Sequence, residues 1–389
     1  MHFFANSITL TALAASAIAA ATSPLAIQTY KGETSGRHII TLKQGASKNG
    51  FIDKATLSGD MTHKWDIINA FAGQFTDDNL NALRSDPNVE SVTEDGIMHI
   101  LGTQTDAPWG LERISTTPKL TDQNSLDLTH KYVYKDDKLG SGVDIYIVDT
   151  GIRTTHVTFG GRAHWGGIFG GHEKADNDGH GTHCAGIAAG AQYGVAKKAN
   201  LIAVKVIHDD GSGGPASDVI SGLQYVKDQA ATSGRPSIAS ISLGGYDSKP
   251  LDDAIASLTK AGVHVVVAAG NDDIDAGTGS PGRAPSAVTV GASAIYDARA
   301  AFSNHGPVVD IFAPGLDVIS SWNTNDTATN IGSGTSMAAP HIAGLIAYLI
   351  ARDGNDTPAA ISTKLQNQSL KGVLKDMPSG TLNYLAHND

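Results

Sequence analysis

Ile145-Tyr146-Ile147-Val148-Asp149-Thr150-Gly151 is an apolar run, rich in β-branched residues, that ends in an acid and then a turn residue. Such a run predicts a buried strand with a carboxylate at its carboxyl end. Downstream, Leu201 to Val206 reads as another strand, Val219, Ile220, Leu223 and Val226 recur at helical spacing, and Ile238 to Ser242 reads as strand again. The helix Leu251 to Lys260 and the strand Val263 to Ala268 continue the alternation. Strands alternating with helices predict an α/β fold with a parallel central sheet and helices on both faces. Open sheets of this kind gather their sites at the carboxyl ends of the strands, which is where Asp149 falls.

Three further blocks carry chemistry. Asp178-Gly179-His180-Gly181-Thr182-His183-Cys184-Ala185-Gly186 places a histidine among small residues that let it approach neighbouring backbone. Gly332-Ser333-Gly334-Thr335-Ser336-Met337-Ala338-Ala339-Pro340-His341, followed by apolar Ile342 to Ile350, puts Ser336 near the start of a buried helix. Pro340 is expected to fit there because first-turn amides have no partner inside a helix. Val265 to Asn271 is a buried strand ending in a side-chain amide. A serine hydroxyl is a poor nucleophile until a base takes its proton, and the base needs a third group to fix its tautomer. The expected roles are therefore orienting acid for Asp149, general base for His180 and nucleophile for Ser336. Asn271 and the backbone N–H of Ser336 are expected to donate to an oxyanion. Taken singly, each residue has a plainer reading, Asp149 or Asn271 as a turn former and Ser336 as an N-cap. The pair His180 and His183 also has a metal-ligand spacing. The glutamate of the zinc-protease helix motif is missing and no other ligand cluster is evident, so no catalytic metal is expected and His183 reads as a packed histidine.

In order and type, Asp149-Thr150-Gly151, His180-Gly181-Thr182-His183 and Gly334-Thr335-Ser336-Met337-Ala338 resemble the active-site signatures of subtilisin-like serine proteases. Ala107-Pro108-Trp109-Gly110-Leu111, Tyr193 to Lys198 and His183 to Gly186 are similar to stretches of the proteinase K-like branch, and the likeness runs from about Gly102 to the C-terminus. The resemblance implies a catalytic domain over 102–389, with Gly211-Ser212-Gly213 and Ser242-Leu243-Gly244 gripping an extended substrate by backbone pairing. It implies a structural calcium ion held by Pro285, Ala287 and Asp310, oxygen ligands suiting that metal. It also implies that Cys184 is a buried thiol beneath His180.

Upstream, Arg37 to Leu42, Phe71 to Phe75, the helix-like Asp77 to Ser85 and Val89 to Asp95 predict strand, strand, helix, strand, a small α+β unit. It looks like the inhibitory propeptide of subtilases, expected over 21–101, with self-cleavage between Leu101 and Gly102. That junction has apolar residues at P1 and P4. Residues 1–20, apolar and alanine-rich, read as a signal peptide although they lack a basic start, and they are short for a membrane anchor.

The charge balance, Lys+Arg 28 against Asp+Glu 39 for a net −11, disfavours nucleic acid and anionic membranes as partners. Cys184 is the single cysteine and forms no disulfide within the chain. Asn325, Asn355 and Asn367 each begin a glycosylation triplet, compatible with a secretory route. The expected protein is a secreted, monomeric serine endopeptidase with an apolar-leaning preference, acting on proteins and peptides and inhibited by its own propeptide. A catalytically dead homologue would not need all four of Asp149, His180, Asn271 and Ser336. A processing protease selective for basic residues would need acidic clusters that the Gly244-Gly245 region lacks.

Overall fold

The computed structural model describes residues 23–30, 34–52, 61–96, 102–210 and 212–389. They fall into two units, one ending at Gly96 and one beginning at Gly102.

In the first unit the strands are β1 (Ile27–Gln28), β2 (Thr34–Leu42), β3 (Met61–Trp65), β4 (Ala70–Gly73) and β5 (Val89–Gly96), in sheet order β1-β5-β2-β4-β3. Helix α1 (Lys48–Ile52) is a single short turn, and α2 (Asp77–Ser85) is capped by Thr76, whose hydroxyl accepts from Asn79 N at 3.3 Å. Leu80 and Leu83 of α2 pack with Ile40, Phe71 and Val92 of the sheet. This is the expected α+β unit with three elements the sequence reading lacked, β1, α1 and β3. Met61–Trp65 is exposed at its middle three positions, so it carries no alternating apolar signal.

In the second unit, β6 (Asp144–Asp149), β7 (Ala163–Ile168), β8 (Asn200–Lys205), β9 (Ser237–Ile241), β10 (His264–Ala268), β11 (Val288–Ala294) and β12 (Ile311–Pro314) lie in the order β7-β8-β6-β9-β10-β11-β12. Every neighbouring pair in that series is parallel. Side chains alternate across a strand, and β6 uses both faces. Ile145 and Ile147 pack with α3 (His180–Ala189) and α6 (Thr335–Asp353), whereas Tyr146 and Val148 pack with α4 (Ala216–Ser233) and α5 (Lys249–Lys260). Each fully buried Ile or Val contributes about 1.5–3 kcal/mol, so a strand buried on both faces is a strong register anchor. Helix α6 is apolar on every side and is buried on every side, as such a pattern requires.

The chain runs from β6 to one side of the sheet through β7 and β8, then crosses to the other side at β9. Parallel sheets open a crevice where the order reverses, and here that point is the carboxyl end of β6, at Asp149. Among the described residues no helix is long and apolar enough to cross a membrane.

Candidate active site

Asp149 ends β6 with 2% of its side chain exposed, and His180 is the first residue of α3. His180 Nδ1 lies 2.8 Å from Asp149 Oδ1 and 3.0 Å from Oδ2. The approach depends on small residues, since a Cβ on Gly181 would sit 2.1 Å from the carbonyl oxygen of Gly151, just past Asp149. Burial works against the imidazolium, but the charge and hydrogen bond of Asp149 outweigh it and hold His180 well above the ordinary histidine value of 6.5. Cys184 Sγ lies 3.9 Å from the same nitrogen, and burial pushes its thiol up, so the thiol stays neutral and Asp149 supplies the holding charge. His183 is fully buried, with Nε2 3.1 Å from Asn330 O, and burial lowers it to about 4. That environment is the packed, hydrogen-bonded one expected of it.

Ser336 is the second residue of α6. Pro340 does not lie in the first turn, as the sequence reading had it, but is the sixth residue of the helix. At that depth a residue normally donates its N–H to the carbonyl four residues back, and proline has none to give. The orphaned carbonyl is that of Ser336, and it accepts instead from Ser242 Oγ at 3.0 Å and Cys184 Sγ at 3.3 Å. The helix defect thus ties the Ser336 backbone to the end of β9 and to the helix that carries His180. The Ser336 hydroxyl donates to Ser242 O at 3.2 Å.

Asn271 follows β10. Its Oδ1 accepts from Thr335 N at 2.8 Å and from Thr335 Oγ1 at 2.9 Å. A backbone N–H needs an acceptor, so the amide is oriented with oxygen toward Thr335 and Nδ2 turned away. A Cβ on Gly334 would lie 3.5 Å from both Asn271 Nδ2 and Ser336 N and 3.7 Å from Asn271 Oδ1, so the Asn271 amide lies beside the backbone N–H of Ser336.

Asp149, His180, Gly213, Ser242, Leu243 and Gly244 line one cleft of about 420 Å³, with Ile207 and Val219 supplying apolar wall. Ser212 is exposed and its N–H donates to Asp210 Oδ1 at 3.0 Å, while Gly211 lies outside the described residues. Leu101 and the signal segment also lie outside them, and Gly102 opens a strand, Gly102–Ala107, paired with His130–Tyr134. Pro285, Ala287 and Asp310 line a separate cavity of about 430 Å³. There Asp310 accepts from Thr289 N at 2.8 Å and Gln366 Nε2 at 3.4 Å, and burial pushes its carboxyl up to about 6. Asn325, Asn355 and Asn367 are all exposed, the Asn355 side chain lying 3.0 Å from His264 Nε2.

Two residues that the sequence reading missed shape the site from beneath. The buried Asp176 carboxylate accepts from Thr150 Oγ1 at 2.9 Å, Gly179 N at 2.8 Å and Thr182 N at 2.9 Å, pinning the turn after Asp149 and the start of α3 to one another. Asp178 steadies the start of the same helix by accepting from His180 N at 2.9 Å. Lys205, paired with Asp149 across β6 and β8, is fully buried and donates to Thr150 O at 2.5 Å and Ala175 O at 3.0 Å. Its ammonium also lies 2.7 Å from Asp209 Oδ1. A carboxylate in a polar loop and a lysine closing a strand both read as solvent-facing, so neither gave a sequence signal.

The Subtilase family model matches residues 140–384, and the Peptidase inhibitor I9 model matches residues 37–101. The chain is 48% identical over 337 residues to the cuticle-degrading protease of Metarhizium anisopliae, covering 84% of each chain. It is 45% identical over 342 residues to the subtilisin-like serine protease Pen c 2 of Penicillium citrinum, covering 82% of this chain and 74% of that one. Among solved structures, a cold adapted subtilisin-like serine proteinase is similar with a TM-score of 0.67 and 39% identity, over 73% of this chain and 99% of that one.

Proposed function

Because this chain belongs to the subtilase family and carries an inhibitory propeptide domain, it is a serine protease made as a zymogen, and we propose that it cleaves peptide bonds through an acyl-enzyme on Ser336. The observation that carries this reading is the His180 imidazole held by Asp149 at 2.8 Å and 3.0 Å, with Ser336 tied to the helix of that histidine through Cys184. In the proposed reaction the Ser336 hydroxyl turns about its Cα–Cβ bond from Ser242 O to His180 Nε2. His180 takes the proton as Oγ attacks the substrate carbonyl carbon, and the resulting oxyanion accepts from Asn271 Nδ2 and Ser336 N. The imidazolium then gives its proton to the leaving amine. Water, deprotonated by the same nitrogen, hydrolyses the ester and frees Ser336.

Backbone pairing of an extended substrate with Gly211-Ser212-Gly213 and Ser242-Leu243-Gly244 would make the enzyme broad, while Ile207, Val219 and Leu243 favour apolar side chains. Assayed with extended peptide anilides, kcat/KM is expected to be about tenfold or more higher for an apolar than for a basic P1 residue. Along the pH axis kcat/KM should rise as His180 loses its proton, with a midpoint above 6.5. A preference for basic P1, or a midpoint below 6.5, would count against this site.

The proposed organisation is a signal over 1–20, a propeptide over 21–101 that the enzyme cuts at Leu101/Gly102, and a catalytic domain over 102–389, secreted as a monomer. Asn325, Asn355 and Asn367 are exposed and are the proposed glycan positions.

A structural calcium ion is proposed for the cavity at Asp310, a reading supported by the partly buried carboxylate there and by its lining, which includes Pro285 and Ala287. Asp310 and the carbonyl oxygens of Pro285 and Ala287 would hold it. Without an ion, Asp310 titrates near 6 in the folded chain and near the ordinary 3.8 in the unfolded one. Between those values the unfolded state has already lost the proton the folded state keeps, so stability falls as pH rises through the window, and a bound cation reverses that loss. A chelator is therefore expected to lower the melting temperature more at about pH 8 than at about pH 5. Equal melting temperatures with calcium and with chelator at the higher pH would remove the site.

A further inference from the structure

We propose that Asn304 is the positioning residue of the oxyanion donor, a role that rests on reading Asn271 as that donor. The backbone from Ala269 to Ile274 has to turn sharply after β10 to aim the Asn271 side chain at the nucleophile. Asn271 does not stabilise this turn itself, because its carbonyl oxygen is committed to Thr335. The buried Asn304 supplies what is missing. Its Nδ2 donates to Ala269 O at 2.9 Å, and its Oδ1 accepts from Asp272 N at 3.0 Å and from Ile274 N at 3.1 Å. Its own backbone N donates to Gly270 O at 2.9 Å. These four bonds bracket Asn271 on both sides.

The fit requires the glycine that precedes Asn271. Gly270 has φ +103°, and a Cβ there would sit 2.3 Å from Asn304 Nδ2. Asn304 is in turn fixed to the sheet. Ser303 Oγ accepts from Ala292 N of β11 at 2.9 Å and donates to Asn304 O at 3.0 Å. The chain of contacts therefore runs from a buried strand through Ser303 and Asn304 to the turn, and from the turn to the amide that faces the developing charge. Oxyanion donors work over a narrow range of distance, and a misplacement of about 1 Å costs about 10²-fold in rate. Asn304 never touches substrate in this scheme and acts only through where Asn271 points.

The test is a double-mutant cycle with an extended peptide anilide, kcat referred to active-site-titrated mature enzyme. Asn304→Ala is expected to lower kcat about tenfold while KM changes less than about twofold, the mark of an interaction made in the transition state. In the Asn271→Ala background the same change should lower kcat by less than about twofold, because the donor it positions is gone. Asn304→Asp keeps the acceptor for Asp272 and Ile274 and loses only the donor to Ala269, so it serves the same cycle if the alanine variant fails to fold. Losses that multiply in the double variant would show Asn304 to be merely structural and overturn the proposal. If Asn271→Ala alone left kcat unchanged, the reading of Asn271 itself would fall, a result separate from the first.

Discussion

Replacing Ser336 by alanine is expected to lower kcat toward peptide substrates by about 10⁶-fold, the scale of loss a subtilisin suffers without its nucleophile, with KM little changed. The physical reason is that, among the described residues, the other hydroxyl and thiol groups beside Ser336 are engaged or buried, Ser242 Oγ donating to Ser336 O at 3.0 Å. Thr335 has its hydroxyl bonded to Asn271, and Cys184 is fully buried with its thiol held neutral. The Ser336→Ala precursor should also stay uncut at Leu101/Gly102, which the mass of the purified chain would reveal. A variant that still matured in purified form would mean that another enzyme makes that cut. The fold should survive, because the hydroxyl's partner is a single carbonyl, that of Ser242, whereas the carbonyl of residue 336 keeps both of its own bonds.

Asp149→Asn is the second large effect, with kcat expected to fall by about 10⁴-fold at neutral pH. The carboxylate accepts from His180 Nδ1–H and leaves Nε2 free to take a proton. An amide in its place can donate to Nδ1 and favour the other tautomer, leaving Nε2 protonated and useless as a base. The same change removes the charge that holds His180 above its ordinary value, so the remaining activity should show an acidic limb shifted to lower pH. Steady-state kinetics across pH would check both statements. A variant within tenfold of the parent would show that Asp149 does not orient the base.

The parts of the fold that were legible in the sequence are those where burial imposes a pattern. The run Ile145 to Val148 had to be a strand buried on both faces, and the apolar stretch after Ser336 had to be a buried helix. The edge strand Met61–Trp65 was silent because its polar residues face water and need no alternation. The proposed site residues Asp149, His180, Ser336 and Asn271 stand out in the sequence because each lies at or a few residues past the end of an apolar strand or at the start of a helix, flanked by residues small enough for close approach. Asp176, Lys205 and Asn304 were not. Lys205 and Asn304 bind backbone groups from segments remote in sequence, Asp176 joins the nearby Gly179 and Thr182 amides to the remote Thr150 hydroxyl, and no local pattern records a partner that will arrive from elsewhere. Pro340 was misread for a related reason. Its place in the first turn was inferred from tolerance, whereas the helix starts at Thr335 and uses the missing N–H to release the Ser336 carbonyl to Ser242 and Cys184.

The central claim is that Ser336 is an activated nucleophile, and covalent labelling by a fluorophosphonate with mass spectrometry of the digested protein tests it most directly. The account predicts one adduct per chain, on the peptide containing Ser336, formed more slowly in Asp149→Asn and absent in Ser336→Ala. An adduct on a different residue of the mature enzyme, or labelling undiminished in Ser336→Ala, would contradict it.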